Sequence, residues 1–143
     1  MILGIVGHSA DKFTARTESL ACDAITDAIA RHNPRLIVSG GCHLGGVDIW
    51  AEEIARACGI PLHVYLPANH SWIGGYRERN LQIAKRSDLV LCVAVQDYPP
   101  GYSLPRYGGG RCYHCGNRNP RHVKSGGCWT AWKCKRREWS III

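Results

Sequence analysis

The sequence predicts an α/β fold: a three-layer sandwich around a mainly parallel five-stranded sheet, with a long loop insertion late in the chain. Short apolar runs alternate with amphipathic, helix-periodic segments, which implies right-handed crossovers, parallel strands and helices on both faces. Glycine-rich turns stand where two helices begin. At 143 residues the chain fits one domain, 1–143, large enough to bury about two-thirds of its unfolded surface.

The elements follow in order. Ile2–Gly7 (ILGIVG) is an apolar run ending in glycine, the pattern of a buried strand. Thr17–Arg31 carries Leu20, Ala24, Ile25, Ala28 and Ile29 on one helical face, and Asn33-Pro34 ends it. Leu36–Val38 is a second strand stopped by SGG, Val47–Cys58 a second helix closed by Gly59, and Pro61–Leu66 a third strand. A helix over Tyr76–Arg86 leads into Leu89–Val95, the strongest strand pattern. The segment 96–124 has no periodicity. A loop of that length inside a compact domain needs something to hold it. Trp129–Arg137 then reads as a fourth helix and Ser140–Ile143 as a last strand.

The cysteines divide into two kinds. Cys22, Cys58 and Cys92 stand among Leu, Ile, Val and Ala, where a thiol acts as a small hydrophobe. Cys112, Cys115, His122 and Cys128 are spaced C-x2-C-x6-H-x5-C among polar residues. Three thiolates and an imidazole complete a closed tetrahedral zinc site with no position left for water, so the expected role is structural, making the insertion a zinc-stabilised loop. Cys134 is a rival for the fourth position, and His114 ranks below His122.

In open parallel sheets ligands sit beyond the carboxyl ends of the strands, near the point where strand order reverses. That rule selects Gly7, His8 and Ser9, then the SGGCHLGGVD loop with Ser39, Gly40, Gly41, Gly45, Gly46 and Asp48, then the segment after Val95, then Ser125, Gly126 and Gly127 before the fourth helix. Glycine lets backbone approach phosphate oxygens closely, and a helix start offers amides and a positive dipole end. The first loop lacks the lysine of a Walker A motif. Asp48 either favours its helix start or binds a ligand hydroxyl. His8, His43 and Trp72 stand in or beside these loops, while His63 falls in a strand and is expected to be structural.

The order GIVGHS, SGGCHLGGVDIWAEEIARACGIP, RERNLQIAKRSDLVLCV and SGGCWTA resembles the SLOG superfamily of Rossmann-like domains, which joins the DNA-processing protein A family to the Lonely Guy cytokinin phosphoribohydrolases. The likeness covers nearly all of the chain except 96–124, and is greater to uncharacterised bacterial and phage members than to the enzymes. It implies a Rossmann-like nucleotide pocket in which Arg79, within RERN, matches the enzymes' catalytic arginine. Thr130 matches the threonine of their second glycine loop. Their catalytic glutamate has no counterpart, because Trp132 or Lys133 stands in its region. Arg77 reads as a solvated helix charge.

The net charge of +7 is unevenly placed: Met1–Pro100 holds nine Lys or Arg against ten Asp or Glu, and the remainder nine basic residues against Glu138 alone. A positive field favours phosphates. Three functions stay open: binding of a nucleotide-like small molecule; an N-glycosidic or phosphate hydrolase using Asp48, Glu52 or Asp97; and nucleic-acid binding by the basic last third with its interleaved aromatics. No apolar run suits a membrane span or signal peptide, so the expectation is a cytoplasmic protein without a membrane partner. The resemblance makes a homodimer plausible.

Overall fold

The computed structural model describes residues 1–102 and 126–143. Five strands form an all-parallel sheet in the order β3-β2-β1-β4-β5. They are β1 (Ile2–Gly7), β2 (Leu36–Ser39), β3 (Leu62–Val64), β4 (Leu89–Val95) and β5 (Arg137–Ile142). The helices are α1 (Ala15–His32), α2 (Val47–Ala57), α3 (Arg77–Arg86) and α4 (Gly126–Lys133). This is the expected Rossmann-like architecture. The chain builds outward from β1 to β3, then crosses back to β4 on the other side of β1, so the strand order reverses between β1 and β4.

Alternation along β1 separates the two faces. Leu3 and Ile5 join Ile25, Ala28, Val47 and Ala51 of α1 and α2, whereas Ile2 and Val6 join Ile83, Ala84, Cys128 and Ala131 of α3 and α4. Every residue of β4 is buried, as expected for a central strand covered on both sides. Each fully buried Ile, Leu or Val here contributes roughly 2 kcal/mol of transfer free energy.

Helix α1 begins two residues before its apolar periodicity because Thr14 caps it. The Thr17 amide donates to Thr14 Oγ1 at 3.2 Å and the Thr14 amide donates to Thr17 Oγ1 at 2.8 Å, a reciprocal box in which threonine replaces the usual glutamate. It ends at Asn33, with φ of 44°, ahead of Pro34.

Three expectations need correction. β3 is Leu62–Val64 rather than Pro61–Leu66: among the described residues it is an edge strand, paired with Ile37, Val38 and Ser39 of β2 alone. The fourth helix starts at Gly126 and ends at Lys133, displacing the expected Trp129–Arg137, because Arg137 pairs with Val90 and opens β5 instead. The expected loop 96–124 begins as packed chain: the Gln96 amide donates to the Ile142 carbonyl at 2.7 Å, and Tyr98 is 3 % exposed in the core. Residues 103–124 of it, with Cys112, Cys115 and His122, lie outside the described residues, as does Ser125.

Among the described residues, no helix is long and apolar enough to cross a membrane.

Candidate functional site

A cavity of about 390 Å³ opens at the carboxyl edge of the sheet, at the β1–β4 switch point. β1 supplies Val6 and Gly7, the turn after it His8 and Ser9, the start of α2 Asp48, and α3 Arg79, Asn80 and Ile83. α4 supplies Gly126, Gly127 and Thr130. Lys12, Cys42, Leu44, Trp72, Tyr76 and Tyr102 complete the wall. A smaller cavity of about 170 Å³, lined by Gly41, His43, Leu66, Pro67 and His70, shares Cys42, Tyr76 and Arg79 with the first.

Two glycines allow these walls to meet. A Cβ on Gly127 would lie 2.9 Å from the Gly7 amide nitrogen and 3.0 Å from its Cα, so the first turn of α4 rests directly on the end of β1. Gly46 has φ of 93°, and its Cβ would lie 2.5 Å from both the His8 carbonyl and the Ala10 nitrogen. The adjacent Val47 amide donates to the His8 carbonyl at 3.1 Å. Gly41 lies just beyond the end of β2 and Gly127 rests on the end of the parallel β1, so both stand at the carboxyl edge of the sheet.

The SGGCHLGGVD loop is more structural than its glycines suggest. Ser39, fully buried, donates to Glu52 Oε1 at 2.9 Å and approaches the Asp48 carbonyl at 3.1 Å, tying β2 to α2. Ser39, Gly40, Gly45 and Gly46 do not line the main cavity. The Val47 amide is committed to His8, and the Cys42 amide to the Asp48 carboxylate. What the loop delivers to the cavity is Asp48, with Cys42 and Leu44.

Asp48 is 8 % exposed. Burial pushes its carboxyl up to about 6; the Arg79 charge opposes this, Glu52 adds to it, and the Cys42 amide opposes it. Burial is the dominant cause because removing a carboxylate from water costs more than a cation beyond contact distance returns. Burial likewise raises the Cys42 thiol and the Tyr76 phenol.

Arg79 is 7 % exposed. Its Nε donates to Asn80 Oδ1 at 2.7 Å and its Nη1 to the Gly40 carbonyl, using two of the five guanidinium donors. Asn80 Nδ2 reaches the Gly126 carbonyl at 3.5 Å, and Thr130 Oγ1 donates to that carbonyl at 2.6 Å. The guanidinium carbon lies 5.5 Å from the centre of the Tyr76 ring. Among the described residues, no carboxylate forms an ion pair with Arg79.

His8 is 2 % exposed, and its Nδ1 accepts the Val95 amide at 3.1 Å, so the ring holds the ends of β1 and β4 together while lining the cavity. His43 stacks on His70 with centroids 3.9 Å apart at the smaller cavity. His63 stands in β3 opposite Val38, as expected, with an exposed side chain that lines neither cavity; Asp97 is exposed and outside the cavity lining, and Cys58 is exposed rather than apolar core. Arg77 is a surface charge paired with Glu78 at 2.6 Å. Glu138 cannot replace the missing glutamate, because Arg31 and His32 hold it at 2.5 and 2.7 Å beside α1. Asn80, Lys12, Tyr76 and Tyr102 are site residues that the motifs did not identify.

Of the four zinc-ligand candidates only Cys128 is described. It is fully buried between α4 and β4, with its Sγ 3.6 Å from Cys92 Sγ, in a cluster with Val6, Val90 and Ala131. Its rival Cys134 is also buried and donates to the Ser87 carbonyl at 3.5 Å. Among the described residues, no group of three or more His, Cys, Asp or Glu is placed to hold a metal ion.

No protein-family model, curated protein or solved structure matches the chain. The resemblance to the SLOG superfamily rests on its motifs.

Proposed function

We propose that the chain binds a nucleotide or nucleotide-derived phosphate ligand in the cavity at the β1–β4 switch point. One observation carries the reading: Arg79 is a buried arginine lining that cavity, without a carboxylate ion pair among the described residues. A buried guanidinium is costly unless an anion compensates it. The Gly126–Gly127 start of α4 lines the same space, where backbone amides and the dipole favour negative charge. Two donors of Arg79 are bound to protein, which holds the group rigidly for planar recognition of phosphate. A volume near 390 Å³ falls in the range of small-molecule sites, about 300–1,000 Å³. Asp48 would take a ribose hydroxyl, and Trp72 or Tyr76 a base face.

Isothermal titration with a panel of nucleoside mono- and diphosphates tests this. Arg79→Ala is expected to weaken the best ligand roughly 10- to 150-fold, the worth of a lost charged hydrogen bond. Arg79→Lys should recover only part of it. Absence of binding across the panel, or equal binding by wild type and Arg79→Ala, would refute the reading.

A second reading has one observation in its favour. Asp48 lines the cavity with a carboxyl near 6, a value suited to general acid or base work near neutral pH. On that reading the chain hydrolyses an N-glycosidic bond without the glutamate of the Lonely Guy loop. Base release from nucleoside monophosphates, lost in Asp48→Asn, is the outcome that separates hydrolysis from binding. A structural zinc belongs to the proposal only through Cys112, Cys115 and His122 with Cys128 or Cys134 as fourth ligand, and metal analysis of the purified protein tests it.

A further inference from the structure

Four of the five tryptophans lie on the α3–α4 side of the molecule, away from the core cluster that holds Trp50, with Trp139 partly packed against the other cluster. Trp72 meets Trp129 edge to face with centroids 4.9 Å apart, and Trp132 meets Trp139 at 5.9 Å. Cations alternate with these rings. Lys133 Nζ lies 5.1 Å from the centre of the Trp129 ring, and the Arg137 guanidinium carbon 4.2 Å from that of Trp132. Trp72 is 41 % exposed and Trp132 50 % exposed, and Lys133, Lys135 and Arg136 are exposed beside them.

The charge on this face is uncompensated by contact. The stretch from Gly126 to Arg137 holds Lys133, Lys135, Arg136 and Arg137 and no acid. Strand alternation turns the next residue, Glu138, to the opposite face of the sheet, where Arg31 and His32 hold it. Among the described residues none of the four cations forms an ion pair, although Asp88 lies close enough to feel Lys135. The Arg137 Nε is buried and has no hydrogen-bond partner among the described residues.

Partly exposed indoles alternating with cations that form no ion pair among the described residues match one partner class closely. Bases stack on aromatic faces with little regard to sequence, and their backbone supplies a phosphate for each cation. A protein partner would need acidic side chains spaced to suit, and duplex DNA would keep its bases from the indoles. We propose that the α4–β5 face, from Trp72 through Trp129 to Trp132, Arg137 and Trp139, binds single-stranded nucleic acid. Its phosphates pair with Lys133, Lys135, Arg136 and Arg137. Of the residues named for this surface, Trp72 alone also lines the cavity proposed above.

The test uses the full chain and a labelled oligothymidylate of about 15 nucleotides, near the upper site size of single-strand binders. Binding should quench tryptophan fluorescence and raise the anisotropy of the label. The affinity should fall with salt at a log–log slope of about −3, which is four phosphate contacts at ~0.7 each. Trp132→Ala should weaken binding by about 5- to 150-fold, the value of one stacked base. A Lys135→Gln/Arg136→Gln pair should reduce the slope by about 1.4. These positions are exposed, and nucleoside monophosphate binding in the cavity should be the same in each variant as in wild type, so failure of this surface and failure of the cavity reading are distinguishable. No binding at low salt, tighter binding of a duplex of equal length, or Trp132→Ala binding the oligonucleotide as wild type does would each overturn the proposal. The last outcome would assign the affinity to cations elsewhere in the chain.

Discussion

Asp48→Asn should stabilise the protein near neutral pH while removing part of its pH dependence. The side chain is 8 % exposed, and its carboxyl is raised from 3.8 to about 6 chiefly by burial. Below about pH 4 the group is protonated in both the folded and unfolded chain and contributes nothing. Between about 4 and 6 the unfolded chain releases the proton while the folded one keeps it, so stability falls as pH rises. Above 6 the full cost is present: about 2.2 units at 1.36 kcal/mol each, or about 3 kcal/mol. The raised value includes the field of Glu52, so the figure describes the pair. Asparagine keeps an oxygen for the Cys42 amide and removes the charge.

Urea unfolding of wild type and Asp48→Asn from about pH 4 to about pH 8 measures this directly. The difference should be near its minimum at the acid end, grow to at most about 3 kcal/mol by pH 7 and then level off. In thermal unfolding that corresponds to roughly 6–12 °C for a chain of this size. Other carboxylates are common to both proteins and cancel in the difference. A constant difference across the range, or an Asn variant less stable at pH 8, would show that Asp48 is charged and well compensated in the fold. Stability gained by neutralising a cavity residue would also mark Asp48 as a group retained for something other than folding.

Two further predictions concern the frame around the cavity. Gly127→Ala places a Cβ 2.9 Å from the Gly7 amide nitrogen; since backbone cannot yield as a side chain tip does, it should cost about 1–3 kcal/mol in urea unfolding and weaken nucleotide binding at the same time. Thr14→Ala removes the side-chain half of the α1 cap and should cost about 1 kcal/mol, with ligand affinity unchanged in the titration that detects the Gly127 effect.

The fold was legible where burial speaks in long patterns. The unbroken apolar run Leu89–Val95 is buried at every position, and alternation of such runs with amphipathic helices led directly to the parallel sheet. The end of the chain was misread for a physical reason. Gly126 and Gly127 have poor intrinsic helix propensity, so periodicity placed the helix start after them. Packing overrides propensity there, because only a residue without Cβ lets α4 rest on Gly7. In the Ser39–Asp48 loop the opposite error occurred. Glycine marks close backbone approach without saying to what, and Gly46 approaches His8 and Ala10 rather than a ligand. Asn80 could have been found: Arg79 and Asn80 lie four residues before Ile83 and Ala84, so all four share the inward stripe of α3, and all four are buried.

That stripe also explains why one arginine dominates the site. The two sides of the cavity come from halves of the sheet that diverge at the β1–β4 reversal, and nothing in a parallel ladder joins the loops beyond the strand ends. Arg79 spans them. Through Nη1 it holds Gly40, after β2, and through Asn80 it reaches Gly126, before α4. It also borders both the main cavity and the smaller one containing His43 and His70. The loss of Arg79 would therefore remove a cation and detach two walls at once. Lysine restores the charge but offers no planar fork to hold Gly40 and Asn80 together. The shortfall between Arg79→Lys and wild type consequently measures how much of the site is geometry rather than charge.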